Sequence, residues 1–186
     1  FMAGNMQSFH GVGECIEAVS RVRERYPDAT LTLVGKVREE LMEHIHGSGR
    51  NGFIATTGFL PYRAMYERLS EGTAGLLVFQ PTYYNISIGL PNKLFDYMLL
   101  GLPVIASDLP EIRNVVTAAD CGILVDPGSV RNIADAIAYF FDRPDEARRM
   151  GENGRRAVLE RYNWSAMEAN LLQTYRSLNS ASPTPD

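Results

Sequence analysis

Short apolar segments alternate with longer amphipathic segments along the whole chain, and this alternation restricts the possible folds most strongly. The apolar segments have the length and composition of strands and cover residues 1–4, 30–35, 52–57, 74–80, 102–107 and 122–126. The amphipathic segments predict helices over residues 13–25, 37–47, 61–71, 91–100, 110–118, 129–142, 144–160 and 164–178. The sequence therefore predicts an α/β fold, in which a parallel sheet of about six strands carries helices on both faces.

Length and composition exclude several classes of protein. The 186 residues, 45% of them hydrophobic, suffice for one domain with a sizeable core, interpreted as residues 1–178, and residues 179–186 are predicted to be a disordered tail. A formal net charge of −4 argues against a nucleic-acid-binding domain. Cys15 and Cys121 lack the spacing of metal ligands, so buried reduced thiols are predicted rather than a disulfide. No apolar run reaches the ~18 residues of a membrane helix.

Glycines and lysines mark one edge of the predicted sheet. In open parallel sheets, ligands bind beyond the carboxyl ends of the strands. Glycine, which permits a close approach of the backbone to a ligand, occupies three of these ends: Gly4-Asn5, Gly35-Lys36 and Gly58-Phe59. The only two lysines of the sequence, Lys36 and Lys93, lie at predicted helix starts on the same edge. This pattern predicts a phosphate site there.

The helix predicted to start at Pro91 has an unusual first turn. Proline suits that turn, because its missing N–H would have no partner there. The preceding residues, Gly89 and Leu90, offer no side-chain cap for the free N–H groups. Lys93 adds a cation at the positive end of the helix dipole, which costs about 0.3–1 kcal/mol. An anionic ligand at this helix start would explain both features.

Residues 89–112 carry a specific motif, GLPNKLFDYMLLGLPVIASDLPEI. The motif resembles the donor-binding domain of GT-B glycosyltransferases of the family-4 type, which commonly reads P-x-K-L-F-E-Y-M-x-x-G-x-P-V-I-A-S. The order and spacing of that domain also match the segments TLTLVG, GFL, CGILVDPGSVRNIADAI and MGENGRRAVLERYNWSAM. The resemblance covers nearly the whole chain. It implies a Rossmann-like domain, the C-terminal half of a GT-B fold, with the acceptor-binding N-terminal domain absent from this chain.

The resemblance also implies a function. It implies transfer of a sugar, with retention of the anomeric configuration, from a UDP- or GDP-sugar to a glycan or lipid-linked acceptor in surface polysaccharide synthesis. A cytoplasmic location at the inner face of the membrane, with peripheral membrane association of the full-length protein, is expected. No metal or other cofactor is expected, since GT-B members generally need none. The chain alone is expected to bind nucleotide weakly without turnover, and its final helix to have a partly bare surface.

Donor-binding roles follow from the resemblance, with departures from the family pattern at four positions. Asp96 stands where the family has the glutamate that holds the nucleotide ribose, and Ile88 where it has a glutamate associated with the donor sugar. Asn5 and His10 replace the arginine and lysine on the diphosphate; His10 can donate a hydrogen bond when neutral or mimic the lysine when protonated. No catalytic residue is assigned. The predicted donor-binding residues are Gly4, Asn5, His10, Gly11, Gly35, Lys36, Gly58, Phe59, Gly89, Leu90, Asn92, Lys93 and Asp96.

Other interpretations stay open at this point. The departures from the family pattern favour a degenerate, non-catalytic nucleotide-binding or interaction domain, and a sugar-nucleotide epimerase of the same fold is a further alternative. Lys93 and Asp96 could instead form a surface ion pair at positions i and i+3, worth roughly a few tenths of a kcal/mol. Lys36 could be solvated rather than directed at a ligand.

Overall fold

The protein is described by a computed structural model that covers residues 1–47 and 51–180. Its strands are β1 (Met2–Ala3), β2 (Leu31–Val34), β3 (Ile54–Thr56), β4 (Gly75–Leu77), β5 (Val104–Ser107) and β6 (Gly122–Val125). They form two three-stranded sheets, β1-β2-β3 and β4-β5-β6, and every strand pair in them is parallel. Each strand lies inside one of the segments predicted as strands, so the α/β prediction is confirmed.

The helices follow the predicted order and lie between the strands and after the last one. They are α1 (Val12–Val22), α2 (Glu39–Gly47), α3 (Tyr62–Leu69), α4 (Tyr84–Ser87), α5 (Asn92–Leu99), α6 (Pro110–Ala119), α7 (Val130–Asp142), α8 (Pro144–Glu160) and α9 (Trp164–Ser180). The sequence did not predict α4 or the 3₁₀ turns Ser8–His10 and Asn51–Phe53, which are too short for a periodic pattern. Pro91 is the N-cap of α5 rather than a residue of its first turn. Residues 179 and 180 of the predicted tail belong to α9, and residues 181–186 lie outside the described residues.

The two sheets meet where β1 faces β4. The Leu76 N–H donates to the Phe1 carbonyl at 2.8 Å, but the Ala3 N–H donates to the Tyr97 hydroxyl, also at 2.8 Å. That hydroxyl lies 3.5 Å from the Leu76 carbonyl oxygen. Tyr97, from α5, therefore stands between the strands and divides the predicted sheet of six into two halves. The resulting order, β3-β2-β1-β4-β5-β6, reverses direction between β1 and β4, where open α/β folds bind ligands.

Both faces of the sheets are covered by helices. Adjacent strand residues alternate between two cores, so that Leu33 packs with α1 and α7, while Val34 packs with α5, α6 and α8. Cys15 and Cys121 are buried free thiols, one in each core, as predicted. Burial raises the pKa of each of these thiols to about 12. The double cover makes the strands rigid supports for the loops at their carboxyl ends.

The last helix, α9, has an uncovered apolar side, as the sequence predicted. Its exposed apolar residues are Trp164, Met167, Leu171, Leu172, Tyr175 and Leu178. Across the residues that the structure describes, no helix has the length and apolar character needed to cross a membrane.

Candidate functional site

The carboxyl ends of β1 and β2 approach so closely that their backbones touch. The Gly4 N–H donates to the Val34 carbonyl at 2.8 Å, and a Cβ atom added to Gly35 would lie 2.0 Å from the Gly4 oxygen. Gly35 has φ +128°, which side-chain-bearing residues rarely adopt. A cavity of about 340 Å³, the first cavity, is lined by Gly4, Asn5, Val34, Gly35, Lys36, Phe59, Leu60 and Met65. Phe59 is 75% exposed, so this cavity has an accessible aromatic ring.

Helix α5 begins without a side-chain cap, as its sequence predicted. Pro91 at the N-cap has φ −77° and ψ 139°, and no side chain accepts a hydrogen bond from the first turn. The Leu94 N–H donates to the Pro91 carbonyl at 3.1 Å, whereas the N–H groups of Asn92 and Lys93 precede the first possible intrahelical bond. The helix start therefore presents free donors and the positive end of its dipole.

The Lys93 side chain leaves this helix start and runs back to the end of β1. A Cβ atom added to Gly4 would lie 2.5 Å from Lys93 Cε and 2.7 Å from Nζ, and Nζ lies 5.4 Å from the centre of the Phe79 ring. Burial lowers the pKa of the Lys93 amine to about 8. Within residues 1–47 and 51–180, no carboxylate lies at ion-pair distance from this amine. Among the described residues, Lys93 is therefore a partly desolvated cation without a counter-ion.

His10 is buried next to this amine, with 8% of its surface exposed. Its Nδ1 accepts a hydrogen bond from the Gln7 N–H at 2.9 Å, and its ring lies 4.3 Å from the ring of Phe9 and 5.0 Å from that of Phe79. Burial and, second, the charge of Lys93 lower the pKa of His10 to about 4. His10 is therefore neutral near pH 7, with its proton on Nε2, which favours its role as a hydrogen-bond donor over that of a lysine mimic.

The Nε2–H of His10 is an available donor. No partner for it lies within the described residues, and no fully buried side-chain nitrogen or oxygen among them lacks a partner, so Nε2 reaches open space. His10 lines the second cavity, of about 210 Å³, together with Phe9, Phe79, Asn85, Ile86, Gly89, Leu90, Pro91 and Lys93. Lys93 therefore stands between the two cavities, since it lines the second and contacts Gly4 of the first.

Asp96 lies one turn after Lys93 on α5 but takes a different partner. Its Oδ1 accepts a hydrogen bond from the Tyr66 hydroxyl of α3 at 2.5 Å. The ion pair between Lys93 and Asp96 that the spacing allowed does not form. Asp96 lines neither cavity, although Met65, the neighbour of Tyr66, lines the first.

The structure brings most of the predicted residues together around these cavities. The residues that line a cavity are Gly4, Asn5, Gly35, Lys36 and Phe59 at the first, and His10, Gly89, Leu90 and Lys93 at the second. Asn92 lies exposed at the start of α5. Gly11 (φ +60°) caps α1, and Gly58 (φ +67°) pairs with Gly35; these two glycines line neither cavity. The donor-binding roles of all these residues stay predictions.

Sequence reasoning missed several lining residues and one contact. Phe79 lies two residues after β4 and near the end of the segment 74–80 predicted as a strand, so its position was a usable signal. Tyr66 had no such signal, because it lies thirty positions before Asp96 on a separate helix. A further cavity, of about 180 Å³, lies near the amino ends of the strands, beside Leu31 and Ala74, and is remote from Lys93.

The low pKa of His10 predicts how this side chain titrates and how stability depends on pH. We expect His10 to stay neutral down to about pH 4, whereas an unfolded histidine titrates near pH 6.5. The unfolded chain then binds more protons between these values, so the free energy of unfolding should fall as the pH drops from about 6.5 to about 4. Imidazole NMR shifts and urea unfolding would measure the two effects, with His10→Gln as the control that loses the second. Titration of His10 near pH 6.5 would contradict the prediction.

The fold and this loop arrangement define a class of protein. Two parallel half-sheets, with helices on both faces and open cavities at the change of strand direction, form a Rossmann-like domain, as in each half of a GT-B glycosyltransferase. The chain belongs to the family Glycosyl transferases group 1, whose model matches residues 1–157.

Two named transferases and one solved structure are similar to this chain. The chain is 26% identical over 177 residues to the alpha-D-kanosaminyltransferase of Streptomyces kanamyceticus, covering 94% of this chain and 44% of that protein. It is 29% identical over 172 residues to the MMP alpha-(1->4)-mannosyltransferase of Mycolicibacterium hassiacum, covering 89% and 39%. The structure of Anabaena Alr3699/HepE in complex with UDP matches with a TM-score of 0.81 at 17% identity, covering 95% and 49%. The chain thus spans less than half the length of these proteins.

Proposed function

We propose that this domain binds a nucleoside diphosphate sugar along the two cavities, with the diphosphate at Lys93. The observation that carries the proposal is the position of the Lys93 amine, between the cavities and without a carboxylate partner in the described part of the chain. A partly buried cation is costly unless an opposite charge compensates it, so this position favours an anionic ligand.

The groups around Lys93 support the same ligand. The His10 Nε2–H and the free N–H groups of Asn92 and Lys93 are all donors, which suits the acceptor-only oxygens of a diphosphate. In the arrangement we propose, the first cavity holds the nucleobase, with the Phe59 ring as a stacking surface. Asp96 accepts hydrogen bonds from the ribose hydroxyls, and the sugar occupies the second cavity.

The proposed reaction is transfer of the sugar from a UDP- or GDP-sugar, with retention of configuration, to a glycan or lipid-linked acceptor in surface polysaccharide synthesis. Negative charge develops on the diphosphate when its bond to the sugar breaks. Lys93, His10 and the amides of α5 would stabilise that charge without a metal ion. The relatives are more than twice as long as this chain, and in the proposal a second domain completes the cleft and positions the acceptor.

A second candidate is a non-catalytic domain that binds nucleotides or a protein partner. The side chains of Asn5 and Ile88 favour it, because neither carries the charge expected at its position. Membership of a glycosyltransferase family favours the transferase over this candidate and over an epimerase. Release of UDP or GDP from a nucleotide sugar by the full-length protein would distinguish the candidates.

Calorimetric titration of the 186-residue chain with UDP and with GDP tests the proposed site. We expect one of them to bind, and Asp96→Asn to weaken nucleotide and nucleoside binding alike by about 1–3 kcal/mol, because a charged hydrogen bond is lost. Asp135→Asn, an exposed aspartate paired with Arg131 on α7, is the control and should bind as the original chain does. Failure of both nucleotides to bind would refute the proposed function.

A further inference from the structure

The carboxylate of Asp96 is held by a residue that neither the sequence motif nor the cavities include. The Tyr66 hydroxyl, on α3, donates to Asp96 Oδ1 at 2.5 Å across the gap between two helices. The Tyr66 ring is half-buried and stacks on Tyr62, with ring centres 5.3 Å apart. The hydroxyl therefore has little freedom to move away from the carboxylate.

The chemistry of this pair leaves one side of the carboxylate available. Burial and the hydrogen bond to Asp96 raise the pKa of Tyr66 well above its ordinary value, so the phenol stays protonated and acts as the donor. A carboxylate accepts about four hydrogen bonds, and this phenol supplies one, on Oδ1. For Oδ2, no partner lies within the residues that the structure describes. An aspartate held in this way can receive further donors with little loss of side-chain entropy.

We propose that Tyr66 is a positioning residue, whose hydroxyl orients the Asp96 carboxylate so that Oδ2 accepts hydrogen bonds from the ribose hydroxyls of the nucleotide. This inference rests on the proposed function, which places the ribose at Asp96. In this arrangement, a residue of α3 fixes the geometry of a binding group on α5. The bond also joins the helix that starts at the diphosphate site to the helix whose Met65 lines the first cavity.

The test is the change in binding of two ligands to one variant. Tyr66→Phe removes the hydroxyl and keeps the ring that stacks on Tyr62. We expect it to raise the Kd for UDP about 3- to 10-fold, and to change the Kd for 2′,3′-dideoxy-UDP by less than about twofold, because that ligand lacks the ribose hydroxyls. If GDP binds more tightly than UDP, the test uses GDP and 2′,3′-dideoxy-GDP in place of UDP and 2′,3′-dideoxy-UDP. If Tyr66 had only a structural role, Tyr66→Phe would weaken the binding of both ligands equally.

Tyr26→Phe is the matched control, since the Tyr26 hydroxyl donates to the Asp142 carboxylate on the other face of the domain. It removes the same kind of bond and should lower the melting temperature without changing either Kd. Equal weakening of UDP and dideoxy-UDP by Tyr66→Phe would overturn the inference, as would tighter UDP binding, which would mean that the phenol competes with the ribose.

Asp96→Asn separates this inference from the proposed function. If Asp96→Asn weakens UDP binding while Tyr66→Phe does not, the positioning role fails and the ribose site stands. If Asp96→Asn leaves UDP binding unchanged, the ribose assignment fails, and the role of Tyr66 fails with it.

Discussion

Lys93→Ala is expected to raise the Kd for UDP about 30- to 100-fold, because it removes a charged donor from a partly desolvated position. The Kd for uridine should change much less, since the nucleoside carries no diphosphate. The loss should shrink at high salt, because the interaction is Coulombic. Calorimetric titration at two salt concentrations measures all three effects. Arg131→Ala, which removes an exposed cation paired with Asp135 on α7, is the control.

The pH dependence of the same interaction has a defined sign. Burial places the pKa of the free Lys93 amine at about 8, and a bound diphosphate raises it. UDP affinity should therefore begin to fall between about pH 7 and 8 and fall more steeply above pH 8, since binding then requires the uptake of a proton. Lys93→Ala should abolish this fall. Equal affinities of the original chain and Lys93→Ala for UDP would show that the diphosphate binds elsewhere.

Gly35→Ala is expected to lower the free energy of unfolding by about 2–4 kcal/mol, the second large effect. Two causes combine: Gly35 has φ +128°, and its new Cβ would lie 2.0 Å from the Gly4 carbonyl oxygen. Backbone atoms cannot rotate away as a side chain does, so the β1 and β2 ends must separate. Because Lys93 lies against Gly4, nucleotide affinity should fall as well. Urea unfolding followed by circular dichroism, with UDP titration, gives both values.

Gly13→Ala is the matched control for this substitution. Gly13 lies exposed in α1, and an added Cβ would meet no atom within 4 Å. Its replacement by alanine should raise stability by about 0.5 kcal/mol, because glycine is the poorer helix former. A stability for Gly35→Ala equal to that of Gly13→Ala would refute the close approach of the two strand ends.

Helix α5 shows how far the sequence predicts the candidate site. Residues 89–99 by themselves show the missing cap, the early lysine and the apolar spacing, and the structure has this helix with no side-chain cap. The partners of its polar residues could not be predicted from these residues. The spacing of Lys93 and Asp96 allowed an ion pair, yet the Lys93 amine contacts the end of β1 and the Asp96 carboxylate pairs with α3. Such choices depend on which elements pack beside each face of the helix.

Local patterns by themselves determined the order and type of the strands and of the longer helices, because the spacing of apolar residues, the turn glycines and the signals at helix starts each involve only a few neighbouring residues. Only the tertiary structure decided three other features. The Tyr97 hydroxyl accepts the hydrogen bond of the Ala3 N–H and so divides the sheet. Burial and the hydrogen bond from the Gln7 N–H make His10 a neutral donor. The Tyr66 hydroxyl donates to the Asp96 carboxylate. Each joins residues from separate elements or depends on desolvation by the surrounding fold. A hydrogen bond across the chain and the removal of water from a side chain are properties of packing, which no local pattern records.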